Sequence, residues 1–276
     1  MLIDFLHKRI QRKFHRQRIH SRYLDLPTCS VHYYTNEGLF ERNVLLLHGL
    51  GTSSSTWIHV LPHLARKHNV FALDFPGFGF SRIINGKPAF SLDELRETVE
   101  IFAGKTIRSP FTLIGHSLGG WVAAEYAIQH QADVSRLILL NPAGVYHPGV
   151  EETGRLFAIR NLRELYSLLK RLWWRYPWYF KPFAPAILAD LRRRRVPELI
   201  ETVAKEDFLN DRLQGLSIPV DLIWGKNDGV ISAEVVEILK QALTQVHVRF
   251  IEKCGHVPQL ERPQKVKEFL DEILEG

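Results

Sequence analysis

Phe111-Thr112-Leu113-Ile114-Gly115-His116-Ser117-Leu118-Gly119-Gly120 is the stretch on which the reading of this chain turns. Its first half is a short apolar run, the pattern of a strand buried on both faces. The residues from Leu118 to His130 have helical spacing. Gly115-x-Ser117-x-Gly119 therefore sits between a strand and a helix. Small residues on either side of Ser117 allow a sharp, strained turn that lifts its hydroxyl clear of the sheet, and the helix N-terminus behind it favours developing negative charge. Five residues alone are weak evidence, and a serine there can simply cap a helix. The strand–turn–helix setting is what points to a nucleophile.

Outward from this stretch, strand-like runs recur at Ser30–Tyr34, Val44–His48, Val70–Asp74, Leu137–Asn141, Val220–Trp224 and His247–Glu252. Helical patterns lie between them at Thr56–His68, Ser91–Lys105, Ala233–Leu243 and Pro263–Leu274, with Ser91 and Glu94 forming a capping box. Alternating strand and helix predicts an α/β fold with a mostly parallel, doubly wound sheet. The alternation lapses over 145–212, a basic and aromatic block that reads as a helical cap inserted between two late strands. The expected organisation is an N-terminal arm over 1–28, a core over 29–144 and 213–276, and the cap between.

A serine hydroxyl needs a base to take its proton. Of thirteen histidines, His256 follows a strand-like run on a Gly/Pro-marked loop, Cys254-Gly255-His256-Val257-Pro258. An acid must fix its tautomer, and Asp228 follows Val220–Trp224 at the C-terminal end of a strand, where catalytic groups of open α/β sheets gather. Asp207 and Asp211 precede that strand and read as surface residues of the insertion. Asn141 also ends a strand but carries no charge. The oxyanion needs two preorganised N–H donors. Leu118 offers one, and the loop His48-Gly49-Leu50-Gly51 offers the other, with Leu50 the first choice and Gly51 the second. His48 is read as a brace for that loop.

Five blocks together resemble the α/β-hydrolase superfamily: His48-Gly49 with Trp57, Asp74-Phe75-Pro76-Gly77-Phe78-Gly79-Phe80-Ser81, Gly115–Gly120, Trp224–Asp228, and Gly255-His256 through Pro263. The resemblance runs from about residue 29 to the end, and the order Ser117, Asp228, His256 is the one it implies. With Asn141-Pro142-Ala143-Gly144-Val145 at the insertion entrance, it is most similar to the monoacylglycerol-lipase and carboxylesterase branch. That implies a serine esterase or lipase acting on lipophilic esters, a structural role for Asp74 and its glycines, and a mobile cap. A serine nucleophile disfavours haloalkane dehalogenases and epoxide hydrolases, which use Asp. C–C bond hydrolysis of a meta-cleavage type diketone shares the same machinery, and a hydrolase-fold ligand-binding module is the non-enzymatic alternative.

The cap adds one clue to substrate. Trp173, Trp174 and Trp178 fall within six residues among adjacent cations. They suit a lid that meets lipid or shapes an acyl pocket, as well as a small core of the cap's own. With His116 and Gly51 they complete the candidate substrate-binding residues.

Composition bounds the rest. Apolar residues at 45% and charged residues at 24% exclude a disordered chain. No apolar run reaches the length of a bilayer span, and the N-terminus lacks the h-region of a secretory signal. Cys29 and Cys254 have no metal or redox spacing, which suits reduced thiols in a cytoplasmic protein. No cofactor, metal or nucleic acid is expected, and the run Arg192–Arg195 reads as a solvated helix face. Residues 1–25 hold seven Lys/Arg against Asp4 and Asp25. There Leu2, Leu6, Ile10 and Phe14 share one helix face, with Ile3 beside them. Residues 1–20 suit peripheral contact with an anionic membrane or packing on their own domain, and helical spacing does not separate the two.

Overall fold

A computed structural model describes residues 2–36, 40–84, 91–194 and 196–275, with side chains from residue 6 onward. Leu2, Ile3 and Arg195, singled out above, have side chains outside the described ones. The strands are β1 (His20–Asp25), β2 (Cys29–Thr35), β3 (Asn43–Leu47), β4 (Asn69–Leu73), β5 (Arg82–Ile83), β6 (Phe111–His116), β7 (Val134–Leu140), β8 (Val220–Gly225) and β9 (Val246–Ile251). They form one sheet in the order β1-β2-β4-β3-β6-β7-β8-β9, with β5 paired to β2. From β4 to β9 every pairing is parallel, whereas β1, β2 and β5 join antiparallel at one side. The expected doubly wound α/β architecture is present.

The helices are α1 (Leu2–His15), α2 (Leu61–Leu64), α3 (Leu92–Thr106), α4 (Leu118–Gln129), α5 (Val150–Phe157), α6 (Leu162–Leu172), α7 (Ala184–Arg193), α8 (Val196–Glu201), α9 (Glu234–Ala242), α10 (Pro258–Glu261) and α11 (Pro263–Glu275). The continuous apolar runs of the central strands are explained by two cores. Leu45 and Leu47 of β3, Leu113 of β6 and Leu137 and Leu139 of β7 face α3 and α4. Val44, Leu46, Ile114, Ile138 and Leu140 face α11, α2 and Trp57 on the other side. Side chains alternate across a strand, so a strand covered on both faces is apolar at every position.

Two expectations are corrected. Thr56–His68 is not one helix: a 3-10 turn covers Ser54–Trp57 and α2 starts only at Leu61. Pro62 lacks the N–H that a helix continuing from Thr56 would need, so it stands in the first turn of α2 instead. Residues 1–28 do not form one arm, because β1 is hydrogen-bonded along β2 through a turn closed by Leu26 N–H to the Cys29 carbonyl. Of the two arrangements open to the α1 stripe, its described residues Ile10 and Phe14 adopt packing on the protein. Phe14 is wholly buried against Tyr34, ring centroids 4.7 Å apart, Ile19 is buried with it, and Ile10 packs on the same core.

Between β7 and β8 the chain leaves the sheet and forms α5, α6, α7 and α8, where the cap was expected. Among the described residues no helix is long and apolar enough to cross a membrane.

Candidate active site

Ser117 lies between β6 and α4 with φ 52° and ψ −119°, a conformation that costs a non-glycine residue energy. The glycines around it are steric requirements. A Cβ on Gly115 would meet the Gly119 carbonyl, and one on Gly119 would meet the Leu47 carbonyl of β3. The turn is held from outside as well, since the Ser117 amide donates to the Leu140 carbonyl at 3.1 Å. Strain is tolerated where the surroundings over-determine it, as they do here.

Asp228 follows β8, and both its oxygens are engaged. Oδ1 accepts from the amides of Val230 at 2.7 Å and Ile231 at 3.0 Å. Oδ2 accepts from Asn141 Nδ2 at 2.7 Å and from His256 Nδ1 at 2.7 Å. The Asp228 and His256 side chains are 1% and 2% exposed, so this pair works with little solvent screening. Donation from Nδ1 leaves the Nε2 lone pair free to take a proton, and among the described residues Nε2 makes no hydrogen bond, Ser117 included. Catalytic hydrogen bonds are often loose without substrate.

The amides of Leu50, Gly51 and Leu118 donate no hydrogen bond among the described residues. Unspent amides beside a nucleophile are what an oxyanion site requires. His48 braces the Leu50 loop as expected: its Nε2 accepts from the Phe75 amide at 3.0 Å and its Nδ1 donates to the Gly49 carbonyl at 2.9 Å. Complete burial pulls its pKa down to about 4, so the ring is neutral. Asp74 organises the same region. It accepts from Ser54 N–H at 2.7 Å, Phe80 N–H at 2.9 Å and His32 Nδ1 at 2.7 Å. Burial alone would raise its pKa, but the hydrogen bond and charge of the His32 ring outweigh that and hold it below the usual carboxylate range.

A cavity of about 630 Å³ opens over Ser117, with Leu50 and Leu118 at its wall and Trp121, Val145, Phe157 and Phe208 among its apolar lining. Trp173, Trp174, Trp178, His116 and Gly51 do not line it, which corrects the substrate-binding expectation. Trp173 packs on Phe180, Trp174 lies beneath Arg175 and Arg262, and Trp178 is 75% exposed. His116 is fully buried, its Nε2 donates to the His256 carbonyl at 2.8 Å, and burial lowers its pKa to about 3. It holds the His256 loop from behind. Gly51, with φ 71°, lies against Leu191 of α7. Asp207 caps the Ala204 amide and Asp211 is exposed, so neither reaches His256.

Two residues hold roles that the sequence did not assign to them. Asn141 donates to Asp228 and accepts from the Gly225 amide at 3.2 Å, tying β7 to β8 beside Asp228. Its place at a strand end was visible in the sequence, whereas its role as a donor was not. Glu261 accepts from the amides of Gly255 at 2.6 Å and Trp174 at 3.0 Å, joining the His256 loop to the segment after α6. No spacing announces it.

The Alpha/beta hydrolase family model matches residues 44–269. This chain belongs to the Alpha/beta hydrolase family. It is 26% identical over 267 residues to monoacylglycerol lipase ABHD6 of Mus musculus, covering 84% of this chain and 75% of that protein. Lipase 1 of Psychrobacter immobilis is 24% identical over 241 residues, covering 83% of this chain and 75% of that one. Among solved structures, a membrane phospholipase A described as a bacterial virulence factor superposes with a TM-score of 0.86 at 24% identity, over 100% of this chain and 91% of that chain. The last of these speaks to the fold alone.

Proposed function

We propose that this chain is a serine carboxylic-ester hydrolase acting on lipophilic esters through an acyl-enzyme. The observation that carries the reading is the buried Asp228–His256 pair, 2.7 Å apart, with an Nε2 that has no partner among the described residues and a ring 5.1 Å from that of His116, the residue before Ser117. In this reading Ser117 Oγ attacks the ester carbonyl carbon while His256 Nε2 takes its proton. The oxyanion is held by the Leu50 and Leu118 amides, and Asp228 stabilises the imidazolium. His256 then protonates the leaving alkoxide oxygen. Water, deprotonated by His256, attacks the acyl carbon and releases the acid, restoring Ser117. Family membership and relatives named as lipases support the class of reaction. The apolar cavity supports a monoacylglycerol or a short- to medium-chain acyl ester as substrate.

A panel of p-nitrophenyl esters of increasing acyl length, run beside a monoacylglycerol and a dienol diketone, tests this. Ester turnover is expected, with none on the diketone. Preference for the diketone would establish the C–C hydrolase instead, and ligand binding without any turnover would establish a binding module.

Contact with an anionic membrane, in this proposal, runs through the exposed Lys8, Arg9, Arg12 and Lys13 of α1, since Phe14 is spent on the core. Replacing these four by Gln should abolish co-sedimentation with anionic vesicles at low salt. Equal sedimentation of both proteins would rule the contact out.

A further inference from the structure

Of the polar side chains lining the cavity, Tyr146, Glu151, Arg155, Glu201 and Lys205 are exposed at its rim, whereas Ser117 and His147 are buried. His147 is 4% exposed. It stands in the segment between β7 and α5, and its Nδ1 accepts the Gly149 amide at 3.2 Å. That bond fixes the tautomer: a neutral imidazole accepting at Nδ1 carries its proton on Nε2. No hydrogen bond from Nε2 is present among the described residues. Burial lowers the ring's pKa, and the charge of Glu234 opposes this only in part, so the ring is neutral near pH 7. Thr153, which also lines the cavity, is already committed: its hydroxyl donates to the Val230 carbonyl at 3.0 Å. Val230 in turn donates its amide to Asp228, so His147 shares a wall with the acid loop.

An N–H donor without a protein partner, on a residue that lines an otherwise apolar cavity, is available to an acceptor on a bound ligand. The reacting ester already has its donors. Its carbonyl oxygen is assigned to the Leu50 and Leu118 amides, and its leaving oxygen to His256. A third acceptor must therefore come from outside the reacting group. We infer that His147 Nε2–H recognises a free hydroxyl on the alcohol half of the substrate, making His147 a specificity residue for polyol monoesters over simple alkyl esters. This rests on the ester-hydrolase reading and goes beyond it by naming the substrate's second polar group. A site built to hydrogen-bond a hydroxyl discriminates against substrates lacking it far more strongly than an apolar wall does.

The test compares kcat/KM for a 1-monoacylglycerol with that for the methyl ester of the same acyl chain, taken as a ratio. In His147→Phe that ratio should fall by roughly 10- to 100-fold, the range set by one lost hydrogen bond to substrate. His147→Gln, whose amide nitrogen can reach a similar position, should restore part of it. If His147→Phe fails to fold, as a melting curve would reveal, the Gln variant still reports an intermediate ratio. A ratio unchanged in both variants, with both esters hydrolysed, overturns the role of His147 alone. Wild-type protein that hydrolyses neither ester overturns the reading beneath it.

Discussion

At Asp228 a single carboxylate does three jobs at once: it receives the two turn amides of Val230 and Ile231, the Asn141 amide group and the His256 imidazole. The four donors leave the carboxylate little freedom to rotate away from His256. Asp228→Asn should therefore lower kcat by roughly 10²- to 10⁴-fold through loss of imidazolium stabilisation and tautomer control, while Asp211→Asn leaves it unmoved. Asn141→Leu removes one donor but keeps the charge, so kcat should fall by roughly 10-fold with little change in KM. Steady-state kinetics of the three variants decide this, and a crippled Asp211→Asn would contradict the placement of the acid. Ser117 and Asp228 could be singled out as candidates because each follows the apolar run of a central strand, and His256 because Cys254-Gly255-His256-Val257-Pro258 marks a loop after the mixed strand β9. The role of Asn141 was not legible in the sequence, because it is a side-chain bond to a residue 87 positions away.

The elements that hold this constellation include part of the cap. The last carbonyls of α6 accept from the Asp228 and His256 loops: Arg171 from the Gly229 amide at 3.1 Å and Leu172 from the His256 amide at 2.8 Å. Glu261 of α10 closes the same seam by taking the amides of Gly255 and Trp174. These bonds anchor the C-terminal end of α6 to the loops that carry Asp228 and His256. Glu261→Leu leaves those amides without an acceptor, and should cost about 1–3 kcal/mol of stability along with part of kcat. Urea denaturation checks the first and ester turnover the second; Glu261→Gln, which keeps an acceptor, should fall between. Edge strands β1 and β5 were missed for a physical reason. His20-Ser21-Arg22-Tyr23-Leu24-Asp25 carries no apolar run, because one face of an edge strand meets solvent and its partner supplies the hydrogen bonds. The Trp173–Trp178 cluster stayed between two readings for a related reason: aromatic density does not reveal which way a ring points.

For the molecule as a whole, buried neutral histidines make stability depend on pH. His48 and His116 stay unprotonated in the native state down to about 4 and about 3, each from an ordinary value of 6.5. Below 6.5 the unfolded chain takes up those protons and the native state does not, so acid favours unfolding. Stability should fall by about 2 kcal/mol per histidine between pH 6.5 and 5. Urea midpoints across that range should show the loss, and His48→Gln should shallow it. A flat profile would mean that these rings are not held neutral. The positive backbone turn at Ser117, the neutral brace at His48 and the buried Asp228–His256 pair converge on one claim, that Ser117 is acylated and then released by water. The most direct measurement is rapid-quench turnover of a p-nitrophenyl ester followed by peptide mass analysis of wild type and Ser117→Ala. The account predicts a transient acyl adduct on the peptide containing Ser117, and a fall in kcat on the order of 10⁴-fold or more in the variant. Near-wild-type turnover by Ser117→Ala, or an adduct on another residue, would contradict it.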